Sequence, residues 1–145
     1  MKAVVQRVSS ASVRVAGECV GEIGPGLLVL LGLDRGDDQA AARRMVERLL
    51  AYRLFPDDGG RMNRSVTDTG GGVLLVSQFT LSADTSKGLR PGFSSAMPPQ
   101  EARVLYQFTL DELQRRHRSV AAGVFGADMQ VSLVNDGPVT FILEG

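Results

Sequence analysis

The chain has 145 residues, sixteen basic and sixteen acidic side chains and so no formal net charge, with 43% apolar and 22% charged residues, one cysteine and one histidine. That is the size and balance of a single globular domain spanning residues 1–145. It excludes a membrane-spanning helix, which needs about 18–20 consecutive apolar residues, an internal disulfide and a zinc site of the usual Cys/His ligand set.

Lys2 to Val8 reads as a strand that begins at once, without signal-peptide architecture, and with the lone cysteine this predicts a cytoplasmic protein. Ala11 to Val15 and Cys19 to Ile23 alternate with period two and predict a hairpin turning near Ala16-Gly17. Gly24-Pro25-Gly26 is a turn. Leu27 to Leu33, apolar on both faces, predicts a central strand. From Asp37 to about Phe55 the spacing predicts a helix, with Ala42, Met45, Val46, Leu49 and Leu50 on one stripe and Asp37-Asp38 at the positive end of its dipole. Pro56 to Gly60 turns the chain, and Met62 to Val66 reads as a short strand. Val73 to Leu81 predicts another, mostly apolar strand. Ser82 to Met97 is a polar loop longer than compact domains usually keep without a function. Pro98-Pro99 opens a second helix running to about Ser119, its inner face Ala102, Leu105, Tyr106, Thr109 and Leu113. Met129 to Val134 and Val139 to Leu143 close the chain as strands. The fold class is α+β: a strongly curved, mostly antiparallel sheet or partial barrel with two main helices.

Side-chain chemistry is sparse. His117 ends a helix among arginines and reads as a surface group near the negative end of its dipole. Cys19 has no histidine near it in sequence. The paired aspartates 37–38 and 57–58 read as a helix start and a turn. Gly70-Gly71-Gly72 lacks the spacing of a phosphate loop. Fourteen of the sixteen basic residues are arginine, which suits bidentate phosphate contacts, although an arginine-rich composition gives the same count.

Two stretches remain. Ser77-Gln78-Phe79-Thr80-Leu81 ends an apolar strand just before the long loop. Period two puts Ser77 and Phe79 on one face and Gln78 and Thr80 on the other. These side chains line a pocket, or the strand is simply reaching the surface. Asn135-Asp136-Gly137-Pro138-Val139-Thr140 carries turn chemistry between two strands. Its proline either starts the second strand or holds a cis bond.

At these two stretches the chain resembles the D-aminoacyl-tRNA deacylase family, also called D-tyrosyl-tRNA deacylase. The resemblance runs the length of the chain. It takes in Gln6-Arg7-Val8 with Ala11-Ser12-Val13, the run from Gly24 to Gly32, and Tyr52-Arg53-Leu54-Phe55. It continues through Met62-Asn63, Arg90-Pro91-Gly92-Phe93 and Ala127-Asp128-Met129-Gln130-Val131. Members often carry Gly-Arg-Phe where this chain has Gly123-Val124-Phe125, so a basic RNA contact is not expected at position 124.

The resemblance implies a homodimer that hydrolyses the ester joining a D-amino acid, or glycine, to the 3′ end of tRNA and spares L-aminoacyl-tRNA. It implies a cis Gly137-Pro138 bond reaching into the partner's pocket. There its carbonyls meet the substrate's amino group and exclude an L side chain. It implies a pocket wall of Ser77, Gln78, Phe79 and Thr80, with Phe125 and Met129 also at the site and Arg7 a candidate brace for the Gly-Pro pair. No cofactor or metal is implied. An aminoacyl ester is already activated and has a neighbouring ribose hydroxyl. Orienting it and stabilising the oxyanion with main-chain N–H groups is then enough. The alternative that makes Thr80 a nucleophile lacks an identifiable base. A different class of reading is a non-catalytic nucleic-acid-binding dimer of the same fold, with Arg43, Arg44, Arg48, Arg53, Arg61 and Arg64 as phosphate contacts.

Overall fold

The computed structural model describes residues 1–145. Strand β1 (Lys2–Val15) is a single strand rather than two. It pairs antiparallel with β3 (Gly26–Gly32) through its first half and with β2 (Glu18–Ile23) through its second. The β1–β2 turn falls at Ala16-Gly17 as expected, with φ of 50° and 82°. Positive φ at both central residues matches the twist of the flanking strands.

Helix α1 spans Gln39–Ala51, and its predicted stripe of Ala42, Met45, Val46, Leu49 and Leu50 is buried. Asp38 caps it, accepting the Ala41 N–H at 2.8 Å. It stops short of the expected Phe55. Tyr52 is already extended, and Phe55-Pro56 forms a short strand β4 against β5 (Met62–Arg64). A residue before proline is biased away from helix. The predicted strand to Val66 also ends early. Ser65 and Asp68 form a reciprocal capping box that starts a one-turn helix α2 (Val66–Thr69).

Strand β6 (Gly72–Ser77) lies parallel to β3, and β7 (Val120–Ala122) lies parallel to β6. The sheet therefore mixes three antiparallel and two parallel pairings. Helix α3 (Pro99–Arg116) buries its predicted inner face. It packs with α1 on one side of the sheet over Val5, Leu27, Val29, Leu31, Val73 and Leu75. A second core of Val8, Ala11, Val13, Leu28, Leu74 and Val76 fills the other side. There the sheet rolls up. Gly21 of β2 comes so close to β7 that a Cβ would stand 2.7 Å from the Ala122 carbonyl oxygen. The result is the expected partial barrel, nearly closed. No helix is long and apolar enough to cross a membrane.

The C-terminal strand corrects the expectation of a turn joining two separate strands, Met129 to Val134 and Val139 to Leu143. Gln130–Glu144 is one strand, β8, and it pairs antiparallel with β1 from Lys2↔Glu144 to Arg14↔Gln130. The segments on either side of Gly137-Pro138 run in the same direction along the same partner, so they do not pair with each other. Between the Gln6↔Thr140 and Val8↔Asn135 pairings, β1 advances two residues while β8 advances five. The four intervening residues of β8, Asp136 to Val139, stand against the single residue Arg7 and leave the ladder as a bulge. Turn-forming residues serve a bulge as well as a hairpin. Only the identity of the partner strand separates the two. The Gly137-Pro138 bond in this bulge is cis.

His117 is a second correction. It is buried at the C-cap of α3, with Nε2 2.6 Å from the Gly71 carbonyl oxygen. The turn that begins β6 folds over the end of the helix and supplies an acceptor in place of solvent.

Candidate active site

β3 and β6 run parallel, so both deliver their carboxyl ends to the same edge of the sheet. Past that edge opens a cavity of about 680 Å³. Its floor comes from the strand ends, including Leu31, Leu33, Val76, Ser77 and Gln78. Its walls come from the long loop (Phe93, Ala96, Met97), from the start of α3 (Pro98, Pro99, Ala102, Tyr106) and from the segment before β8 (Phe125, Gly126, Met129). The lining is mostly apolar. Arg35 is its only charged residue.

The local chain path explains the polar floor. Leu31↔Ser77 is the last register pair between β3 and β6, and Gln78 N–H makes one more bond, to the Leu31 carbonyl at 2.8 Å. Beyond that β6 has no neighbour. The expected strand to Leu81 gives way to a 3-10 turn over Phe79–Ser82. The predicted two-face alternation therefore stops at Gln78. The first bond within the turn runs from Leu81 N–H to the Gln78 carbonyl at 3.2 Å. The N–H groups of Phe79 and Thr80 precede it and find no acceptor inside the turn. Phe79 is 62% exposed, and its ring packs against Phe93, with centroids 5.2 Å apart.

Ser77, Gln78, Phe79, Phe125 and Met129 all line this cavity. Thr80 does not line it. Its hydroxyl accepts a hydrogen bond from Gln78 Nε2 at the exposed turn beside it. Tyr106 donates to the Leu75 carbonyl at 3.1 Å, and burial pushes its phenol up to about 12. It is therefore protonated at ordinary pH and is no base. No group of three or more His, Cys, Asp or Glu side chains comes together anywhere in the chain.

Gly137, Pro138 and Arg7 lie outside the cavity lining, at the β8 bulge. Arg7 donates from Nε to the Asp136 carbonyl and from Nη1 to the Leu54 carbonyl, both at 2.8 Å. Asn135 closes the base of the bulge. Its Oδ1 accepts the Val139 N–H at 2.7 Å and its Nδ2 donates to Thr140 Oγ1 at 2.9 Å. Asn135 was read from the sequence only as part of the turn stretch, and Arg35 was not singled out. Asn135 had a local signal in the side-chain to backbone bonding of Asn at turns. Arg35 had only its place after a central strand. Gly137 and Pro138 are exposed, and β8 pairs with β1 alone, leaving its other edge open.

Comparison with known proteins fixes the family. Residues 4–144 match the family model described as D-Tyr-tRNA(Tyr) deacylase. The chain belongs to this family. Two D-aminoacyl-tRNA deacylases are close relatives. That of Stutzerimonas stutzeri (strain A1501) is 60% identical over 144 residues, covering 99% of both chains. That of Methylococcus capsulatus (strain Bath) is 59% identical over 143 residues, covering 99% of this chain and 94% of the relative. A solved structure titled c-Myc DNA Unwinding Element Binding Protein is 45% identical with a TM-score of 0.96, covering 100% of this chain and 99% of that one. A structure titled as a probable eukaryotic D-amino acid tRNA deacylase shares the fold at 18% identity with a TM-score of 0.85, covering 98% and 97%. The D-Tyr-tRNA(Tyr) deacylase family is one of hydrolases acting on the ester bond of aminoacyl-tRNA.

Proposed function

We propose that this chain hydrolyses the ester of D-aminoacyl-tRNA and of glycyl-tRNA and spares L-aminoacyl-tRNA. It works as a homodimer whose site is shared between subunits. Ser77, Gln78 and Phe79, with Phe125 and Met129, form one wall, and Thr80 stands on the turn beside it. Gly137 and Pro138 come from the partner and meet the substrate's amino group. Once the amino group and the ester are both held, the side chain has one of two directions. The L direction meets the Gly-Pro backbone and is rejected by repulsion, not by reading the D side chain. Glycine has nothing to clash and is accepted.

The observation that carries this reading is the division within a single subunit. The cavity holds the Ser77–Phe79 floor, while the Gly137-Pro138 bulge stands exposed outside it on an open strand edge. A site using both needs a second copy of the chain. The exposed apolar residues Leu133, Val134 and Ile142 on β8 favour burial of that edge against another chain. The lack of a side-chain base at the cavity favours attack by the ribose 2′-hydroxyl or by water, with the N–H groups of Phe79 and Thr80 holding the ester oxygen.

The test is incubation of the purified protein with D-Tyr-tRNA and L-Tyr-tRNA, in chelator and in magnesium. Release of D-tyrosine with L-Tyr-tRNA intact is the expected result. Intact D-Tyr-tRNA under both conditions overturns the reading, and a monomer by light scattering overturns the shared site.

A second reading, a nucleic-acid-binding dimer without turnover, draws on the printed name of the 45%-identical structure. Arg43, Arg44, Arg48, Arg53, Arg61 and Arg64 are exposed along α1 and the β4–β5 region. It predicts salt-dependent binding of nucleic acid in the absence of any ester hydrolysis.

A further inference from the structure

Arg35 lines the cavity and Arg103 backs its Phe125 wall, and the reaction as read above uses neither. Arg35 is the one charge in its lining. Its Nε–H is seated on the Ser94 carbonyl at 2.6 Å, which leaves both terminal nitrogens without a protein partner. Arg103 rises from α3 and lays its guanidinium over the Phe125 ring, 4.9 Å from the centroid. Phe125 in turn packs on Tyr106 and forms part of the cavity wall. One arginine thus stands at the Phe93–Met97 wall and the other at the Phe125–Gly126 wall.

Neither guanidinium is neutralised. The ion pairs of the chain involve Met1, Arg7, Arg115 and Arg116. Asp34, next to Arg35 in sequence, is occupied by the Met1 ammonium at 2.8 Å. Asp128, the carboxylate of the segment before β8, is exposed and makes no ion pair. Both arginines have their orientation fixed, one by a carbonyl and one by a ring face, while their hydrogen-bonding edges stay available. That is the state in which a guanidinium binds an oxyanion bidentately at low entropic cost.

We propose that Arg35 and Arg103 form an anion subsite at the cavity border that holds phosphates of the 3′-terminal nucleotides of the RNA. The inference rests on the ester-hydrolase reading and adds to it where the nucleic acid enters. The chemistry of the substrate selects the ligand. An aminoacyl ester has no free carboxylate, and its amino group is cationic. The phosphodiesters are its anions, and they carry the charge that arginine attracts. The same two charges repel the ammonium of the amino acid. The substrate is therefore polarised, with its nucleotide side toward Arg35 and Arg103 and its amino side away from them.

The test compares kcat/KM on D-Tyr-tRNA with that on the 3′-D-tyrosyl ester of adenosine, which has no phosphate, for wild type, Arg35→Gln, Arg103→Gln, Arg35→Lys and Arg103→Lys. The loss on tRNA should exceed the loss on the nucleoside ester by about tenfold in each Gln variant, carried by KM. The slope of log(kcat/KM) against log salt for tRNA should shrink by about 0.7–1 per arginine removed. The Lys variants should recover most of the slope. Equal losses on the two substrates, or an unchanged slope, overturn the subsite. If wild type hydrolyses neither ester, the ester-hydrolase reading fails. The subsite is then judged alone by binding of a CCA-ended RNA oligonucleotide, where unchanged affinity and salt slope in both Gln variants overturn it.

Discussion

Arg7, in the first strand, donates from Nε to the main-chain carbonyl of Asp136, 129 residues later, at 2.8 Å. Its Nη1 reaches the Leu54 carbonyl at the same distance, and the side chain is only 13% exposed. One planar fork thus ties the residue before Gly137 to the segment that follows α1. Replacing Arg7 by Ala should cost about 1.5–3 kcal/mol, because two charge-assisted bonds disappear and two carbonyls lose their donor. It should also lower kcat/KM on D-Tyr-tRNA. Arg7→Lys should recover little, since a single ammonium does not reproduce the fork. Urea denaturation alongside turnover checks both effects, and an unaltered denaturation midpoint in Arg7→Ala contradicts the tie.

Gly137 has a φ of +151°, and a Cβ there would lie 2.6 Å from Val139 Cγ2 and 2.8 Å from Val139 N. Gly137→Ala should displace the bulge and not be absorbed by it. The expected result is at least a tenfold loss in kcat/KM on D-Tyr-tRNA, with far-UV circular dichroism and dimer mass preserved, since an unsuitable backbone conformation costs about 1–3 kcal/mol. Wild-type turnover in this variant would show that the bulge need not hold its shape.

Thr80 accepts a hydrogen bond from Gln78 on an exposed turn and is not among the residues lining the cavity. Thr80→Ala should change single-turnover rates by less than about tenfold, and a loss beyond about 10³-fold would mark Thr80 as the nucleophile.

The Met1 ammonium lies 2.8 Å from both Asp34 and Asp37. Burial works against its charge, but hydrogen bonds to the two carboxylates outweigh this and raise its pKa above 8.0. Burial likewise disfavours the Asp34 carboxylate, and the bond to the ammonium outweighs it, so Asp34 falls below 3.8. The signs follow from linkage. The ammonium's contribution is complete below its unfolded pKa and fades as pH rises through the folded value. The carboxylate's is complete above its unfolded pKa and fades as pH falls through the folded value. Asp34→Asn should therefore destabilise the protein most between these limits, near about pH 6, and less at about pH 3 and pH 10. Urea midpoints at the three pH values check this, and a gap that is constant with pH contradicts it.

The elements with strong periodicity were legible without coordinates. The α1 stripe and the inner face of α3 are buried as their spacing implies, and the apolar run after Gly26 is a central strand. The α2 capping box was written at Ser65 and Asp68, but Ser65 lay inside a segment read as a strand. Tertiary facts were hidden. The bulge has the residues of a hairpin, and nothing local says that both of its arms lie on β1. The end of β6 is set by where β3 stops, and His117 is buried by a turn 46 residues upstream. At the cavity, Ser77, Gln78 and Phe79 were readable because polar residues interrupt an apolar strand. Arg35 was not, because its neighbours in space come from the far end of the long loop.

The pairing of β1 with β8 also bears on how the molecule comes into being. Lys2 faces Glu144, and all the other pairings in that ladder also join residues more than a hundred positions apart. Such contacts repay the entropy of closing the loop only after most of the chain is available, which slows folding relative to domains built from local contacts. During synthesis β1 can find β2 and β3 early, but the Gly-Pro bulge is anchored on both sides only once residues 140–144 have been made and pair with β1. The barrel core is therefore able to form ahead of the bulge.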